Sequence, residues 1–135
     1  RYIIKIGKNE EQHSSSGVIV STGLGSTGWL KSILAGATGI AGKLADKKLK
    51  VEKVGGFDWD AKYLYFSVRE PFPSKTSSSS LVFGRVTSKQ PLILISQMPE
   101  HGVIFSDGIE PDFLEFNSGT QAKISVAEKE GHLVI

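Results

Sequence analysis

Residues 17–32 read GVIVSTGLGSTGWLKS: an apolar β-branched run, three glycines at Gly23, Gly25 and Gly28, then an aromatic residue opening a segment of helical period. Two folds compete for this stretch. In a Rossmann unit, GxGxxG turns a parallel strand into a helix beneath a dinucleotide. In a β domain, a loop rich in Gly, Ser and Thr offers unpaired N–H groups, the positive end of a helix dipole, and hydroxyls for phosphate or ribose oxygens. The residues downstream decide between them. Leu30, Ile33, Leu34, Ala37, Ile40, Ala41, Leu44 and Ala45 recur at helical spacing, which predicts one helix over about Thr27–Lys47, capped by Ser26 or Thr27. Gly36, Gly39 and Gly42 each cost roughly 1 kcal/mol against Ala, so that helix is expected to break there or to pack very close to a sheet.

Asp46 and Glu52 fall near the place of a Rossmann acidic residue, about 20 residues past the glycines. Nothing after Leu49 reads as a second helix, however. LKVEKV (49–54), KYLYFSV (62–68), SLVFGRV (80–86), PLILIS (91–96), GVIFSDG (102–108), FLEF (113–116), AKISVAE (122–128) and HLVI (132–135) are short, alternating or apolar runs with turn residues between them. That is the pattern of antiparallel β structure, and a doubly wound sheet without helices would leave its apolar faces uncovered. The fold class is therefore mainly β: a sandwich-like antiparallel domain with one helix following a Gly-rich loop and packed on it. Upstream, RYIIKIG (1–7) reads as a strand and KNEEQHSSS (8–16) as a polar loop. SKTSSSS (74–80) reads as a mobile surface loop in preference to a lid.

With 135 residues, 39% of them hydrophobic, the chain suffices for one domain with a real core. It has no run of about 18 apolar residues and no charged-then-apolar leader, so a soluble protein is expected. The absence of cysteine rules out a disulfide framework and thiolate metal sites, and His13, His101 and His132 lack ligand spacing. Net charge is +2 with both signs mixed, which gives no reason to expect nucleic acid. The basic run KLADKKLKVEK (43–53), broken by Asp46 and Glu52, reads as a solvated helix end. Asp58 and Asp60 read as turn chemistry before metal ligation, as do Asp107 and Gly108. GxSxG does not occur, so no hydrolase is expected. The chain opens on Arg1, directly on a strand, which suggests one domain of something larger. Taken physically, the glycine loop leaves two readings open: Trp29 as a stacking surface for a base, or Ser26 as a mere cap and Trp29 as core.

SGVIVSTGLGSTGW (16–29) closely resembles the segment of NAD kinases that reads Asp-Gly, a β-branched strand, Ser-Thr, two variable residues, then Gly-Ser-Thr-Ala and an aromatic. Ser21, Thr22, Gly25, Ser26 and Thr27 match, with Gly28 at the Ala position and Trp29 at the usual Tyr position. FSVREPF (66–72), SDG (106–108) and FLEFNSGTQAKISV (113–126) resemble the later strands of the same C-terminal domain. The doubled serine before Gly17, Trp29, and the REP and FN-x-G elements are nearest the divergent, mitochondrial-type branch and its bacterial relatives. Three departures stand out: Ser16 replaces the aspartate, Gly23 and Leu24 replace Pro and Thr, and the GGDG motif with its catalytic aspartate is absent. Asn9 and Glu10 lie too close to Gly17 to be the family's Asn-Glu pair, and are read as loop.

The resemblance implies that residues 1–135 are an NAD kinase-like C-terminal substrate-binding domain, without the GGDG-bearing α/β domain that precedes it in the family. The intact protein would transfer the γ-phosphoryl of ATP, or of polyphosphate, to the adenosine-ribose 2′-hydroxyl of NAD, with Mg²⁺ neutralising developing charge. Thr27, Gly28 and Trp29 would meet the nucleotide, with Thr27 hydrogen-bonding and Trp29 stacking, while Ser32 would reach a ribose or phosphate oxygen. No catalytic residue lies in the chain on this reading. Its partners would be small-molecule nucleotides, its own N-terminal domain and further copies of itself. Neither nucleic acid nor membrane is expected, and the compartment would be the cytoplasm, or the mitochondrial matrix in a eukaryote. The alternatives are a lipid or other small-molecule kinase of the same superfamily, or a non-catalytic nucleotide-binding or oligomerisation module.

Overall fold

In β1, Tyr2–Ile6, the side chains of Tyr2, Ile4 and Ile6 are buried while Ile3 and Lys5 between them are half-buried, as the two-residue period of a strand requires. β2 (Asn9–His13) returns antiparallel to β1, and β6 (Leu92–Ser96) lies on its other side, followed by β9 (Gln121–Ile124). This makes a four-stranded sheet in the order β2-β1-β6-β9. β3 (Gly17–Ser21), β4 (Leu64–Arg69) and β5 (Phe83–Val86) form a second antiparallel sheet. Its inward residues Phe66, Val68 and Val86 meet Ile4, Ile6, Leu92 and Leu94 of the first in one core, and Phe116 closes it. Two sheets with their apolar faces together are a sandwich, as the strand pattern predicts. β7 (Val103–Phe105) and β8 (Phe113–Glu115) make a separate two-stranded hairpin. The computed structural model describes residues 1–49, 57–106, 109, 111–132 and 134.

A 3₁₀ turn, Leu24–Thr27, leads from β3 into α1, Trp29–Leu44. Gly23 lies against the turn at 57–61, which is anchored by buried Phe57 stacked on Tyr63 at 5.1 Å and edge-on to Tyr65 at 4.9 Å. Within α1 only Leu30 is buried, and Ile40 and Leu44 are 66% and 84% exposed. Past the first turn Ile33, Leu34 and Thr38 are only half-buried, and among the described residues the expected close packing of this helix on the sheet is not observed there. Nor is the helix broken at its glycines: among the described residues nothing approaches Gly36 or Gly39, and of the three only Gly42 makes a close approach, to the carbonyl of Lys47. Helical spacing of apolar residues specifies a face but not what covers it. Among the described residues, no helix is long and apolar enough to cross a membrane.

Other expectations also change. KNEEQHSSS is not all loop, because Gly7 at φ 58 and Lys8 make a two-residue turn that sends the chain back as β2. β2 is an edge strand whose Glu10 pairs with Lys5 at 2.7 Å, and this polar composition hid it. The serine-rich stretch 74–80 is a surface loop, as expected, and it runs beside β2: the Ser78 N–H donates to the Gln12 carbonyl and, just before the loop, the Phe72 N–H to that of Ser14, both at 2.8 Å. The strand expected at 49–54 lies outside the described residues apart from Leu49, as does the turn at Asp107 and Gly108. In HLVI, His132 and Val134 are not in a strand, and the other two residues lie outside the described set.

Candidate functional site

The strand–loop–helix joint is built from its own hydroxyls. The Thr22 Oγ1 accepts the Gly25 N–H at 3.1 Å, and buried Ser26 donates its Oγ to the Gly23 carbonyl at 2.6 Å. Ser21 is likewise engaged, donating to the Thr22 carbonyl at 3.0 Å. Ser26 thus ties the 3₁₀ turn and does not cap α1. The N-cap of α1 is Gly28, with no side-chain cap, which among the described residues leaves the positive end of its dipole without a side-chain acceptor at the cap.

Of the residues singled out in the sequence, Thr27 closes the 3₁₀ turn, Gly28 donates its N–H to the Gly25 carbonyl at 3.1 Å, and Trp29 and Ser32 stand on the first turn of α1. All four are exposed. Among the described residues, the Thr27 and Ser32 hydroxyls make no hydrogen bond to protein, so both remain available to a ligand. Trp29 is not core. The residue is 45% exposed, and the Arg69 guanidinium sits 4.6 Å from the centroid of its ring. This cation–π contact fixes the indole while leaving ring surface in solvent.

Trp29 and Arg69 also border a groove of about 560 Å³ between β3 and the β7–β8 hairpin. That volume lies within the range of roughly 300–1,000 Å³ usual for small-molecule sites. Thr27, Gly28 and Ser32 do not line it, so the structure gathers the four residues at one joint but only Trp29 at the groove. Arg69 is the residue that reading the sequence missed. Two signals for it were visible: a cation ending a largely apolar strand, and its place in the REP element of the resemblance.

Asp58 behaves as a turn residue, its carbonyl accepting the Ala61 N–H at 3.0 Å. Among the described residues, no group of three or more His, Asp or Glu is placed to hold a metal ion. The site consists of an aromatic face under a guanidinium, two hydroxyls unengaged among the described residues, and an uncapped helix start. No model of a known protein family matches the chain, and no curated protein matches it.

Proposed function

We propose that this chain is the dinucleotide-binding part of an NAD kinase-like phosphotransferase. The observation that carries the reading is Trp29: an indole held by Arg69, half in solvent, on the first turn of an uncapped helix beside two unengaged hydroxyls. A purine stacks on the open part of the ring, Thr27 and Ser32 bond to ribose or phosphate oxygens, and the helix start favours negative charge. ATP, Mg²⁺ and the GGDG aspartate belong to the preceding domain on this reading. This chain's contribution is to hold the acceptor ribose in one orientation, which lowers the barrier by positioning. The apolar residues that α1 leaves exposed suit a chain completed by that domain or by further subunits.

The test is a calorimetric titration of NAD into the chain, with Trp29→Ala and Thr27→Val as comparisons. Saturable binding, weakened about tenfold by removing the indole, is expected. Wild-type binding that both variants leave unchanged overturns the reading. A kinase assay on the same polypeptide is expected to show no NADP, since the catalytic motif is missing. Turnover by this chain alone would assign it a different role.

A further inference from the structure

Residues 17–20 of β3 and residues 103–105 of β7 line the same groove, each as an unbroken run. Successive side chains of a strand point to opposite faces, so a cavity touched by every residue in turn meets the strand along its edge. Among the described residues, β3 is the outermost strand of its sheet and β7 pairs only with β8. Among the described residues, no backbone hydrogen bond joins β3 to β7. Two free strand edges therefore face one another, and an unpaired edge is a template for another strand.

The floor of the groove is apolar, formed by Leu94, Phe116 and Ile124. Among its described lining residues the charged ones are basic, Arg1 and Arg69, with the His101 ring beside them. Nearby carboxylates offset this little: Glu70 reaches Arg69 only at 3.7 Å and Glu100 reaches His101 at 3.9 Å, and both are mostly exposed. We propose that the groove is a β-addition site for an extended peptide segment of a partner protein. The segment pairs with β3 along about 13 Å, four residues at about 3.3 Å each. Alternate apolar side chains enter the floor, and a carboxylate, from an acidic side chain or a C-terminus, meets Arg69. An acyl chain fits the floor but would leave the facing N–H and C=O groups without partners. Trp29 and Arg69 border both this groove and the nucleotide site proposed above, but the proposal rests on the strand edges, which that reading does not use.

The experiment uses the full chain and a displayed library of random eight-residue peptides, with the enriched sequence then synthesised. Enrichment of alternating apolar residues ending in Asp or Glu is expected, with amide shifts in solution NMR at residues 17–20 and 103–105. N-methylating alternate peptide residues removes ladder donors and should weaken binding about tenfold or more. Arg69→Met should reduce an approximately tenfold preference for the acid over its amide to about twofold or less. The proposal fails if wild-type protein enriches nothing over bare support, if the footprint falls elsewhere, or if the N-methylated peptide binds equally well. Concentration-dependent self-association with the same footprint, in the absence of peptide, would also overturn it by assigning the edges to a second copy.

Discussion

Gly23 opens the GxGxxG pattern, yet packing and not phosphate accounts for it. A Cβ at this position would lie 2.0 Å from the carbonyl oxygen of Asp58 and 3.1 Å from the Cα of Trp59, so backbone meets backbone. At Gly28, in contrast, the nearest atom to an added Cβ is the Gly25 carbonyl oxygen at 3.4 Å, an ordinary contact. Gly23→Ala should therefore force the loop off the turn at 57–61 and destabilise the chain by about 1–3 kcal/mol in urea unfolding, the usual scale of overpacking. Unchanged stability would mean that the loop is not seated as described. Gly102 obeys the same logic at the base of β7, where a Cβ would sit 1.9 Å from the Phe116 carbonyl oxygen.

At the scale of elements, α1 makes the sharper case. Gly36 and Gly39 have nothing within 4 Å of an added Cβ, whereas a Cβ at Gly42 would come within 2.8 Å of the Lys47 carbonyl oxygen. Alanine at Gly36 or Gly39 should thus strengthen the helix by about 0.5–1 kcal/mol each, seen as higher helical content and a later melt in far-UV circular dichroism. Alanine at Gly42 should give no such gain. β1 and β6 were legible because burial follows their alternation, and β3 and β4 because β-branched and aromatic residues are concentrated in each. β2 was not, because an edge strand can satisfy its backbone while carrying Glu10, Glu11 and Gln12. The helix itself was legible but its neighbours were not, since periodicity carries no information about what lies opposite. The candidate site divides in the same way. Thr27, Gly28, Trp29 and Ser32 are contiguous and could be named from local pattern, while Arg69 reaches Trp29 only because β4 pairs with β3, a long-range fact.

Across the whole molecule, one carboxylate joins the two layers. Glu11 stands on β2 of the four-stranded sheet, and its Oε2 accepts the N–H groups of Leu81 at 2.9 Å and Ser80 at 3.2 Å, from the connection between β4 and β5 of the other sheet. Nε2 of buried His13 donates to the same oxygen at 2.8 Å. Burial by itself would raise the Glu11 pKa, but the Leu81 amide, the His13 ring and the Ser80 amide together hold it below its ordinary value. A carboxyl whose pKa is depressed by folding contributes stability that is fully present above its unfolded value, about 4.3, and is lost as pH falls through the lower folded value. Acidification should therefore loosen the clasp between the layers. Glu130, held low by Lys62, titrates in the same direction, so the informative quantity is the difference between wild type and Glu11→Gln. Near neutral pH the variant should be less stable by about 1–2 kcal/mol, the scale of hydrogen bonds to a charged acceptor. As the wild-type carboxyl protonates, that gap should close. A gap that stays constant from neutral pH to about pH 3 would show that Glu11 contributes through its shape and not through its charge.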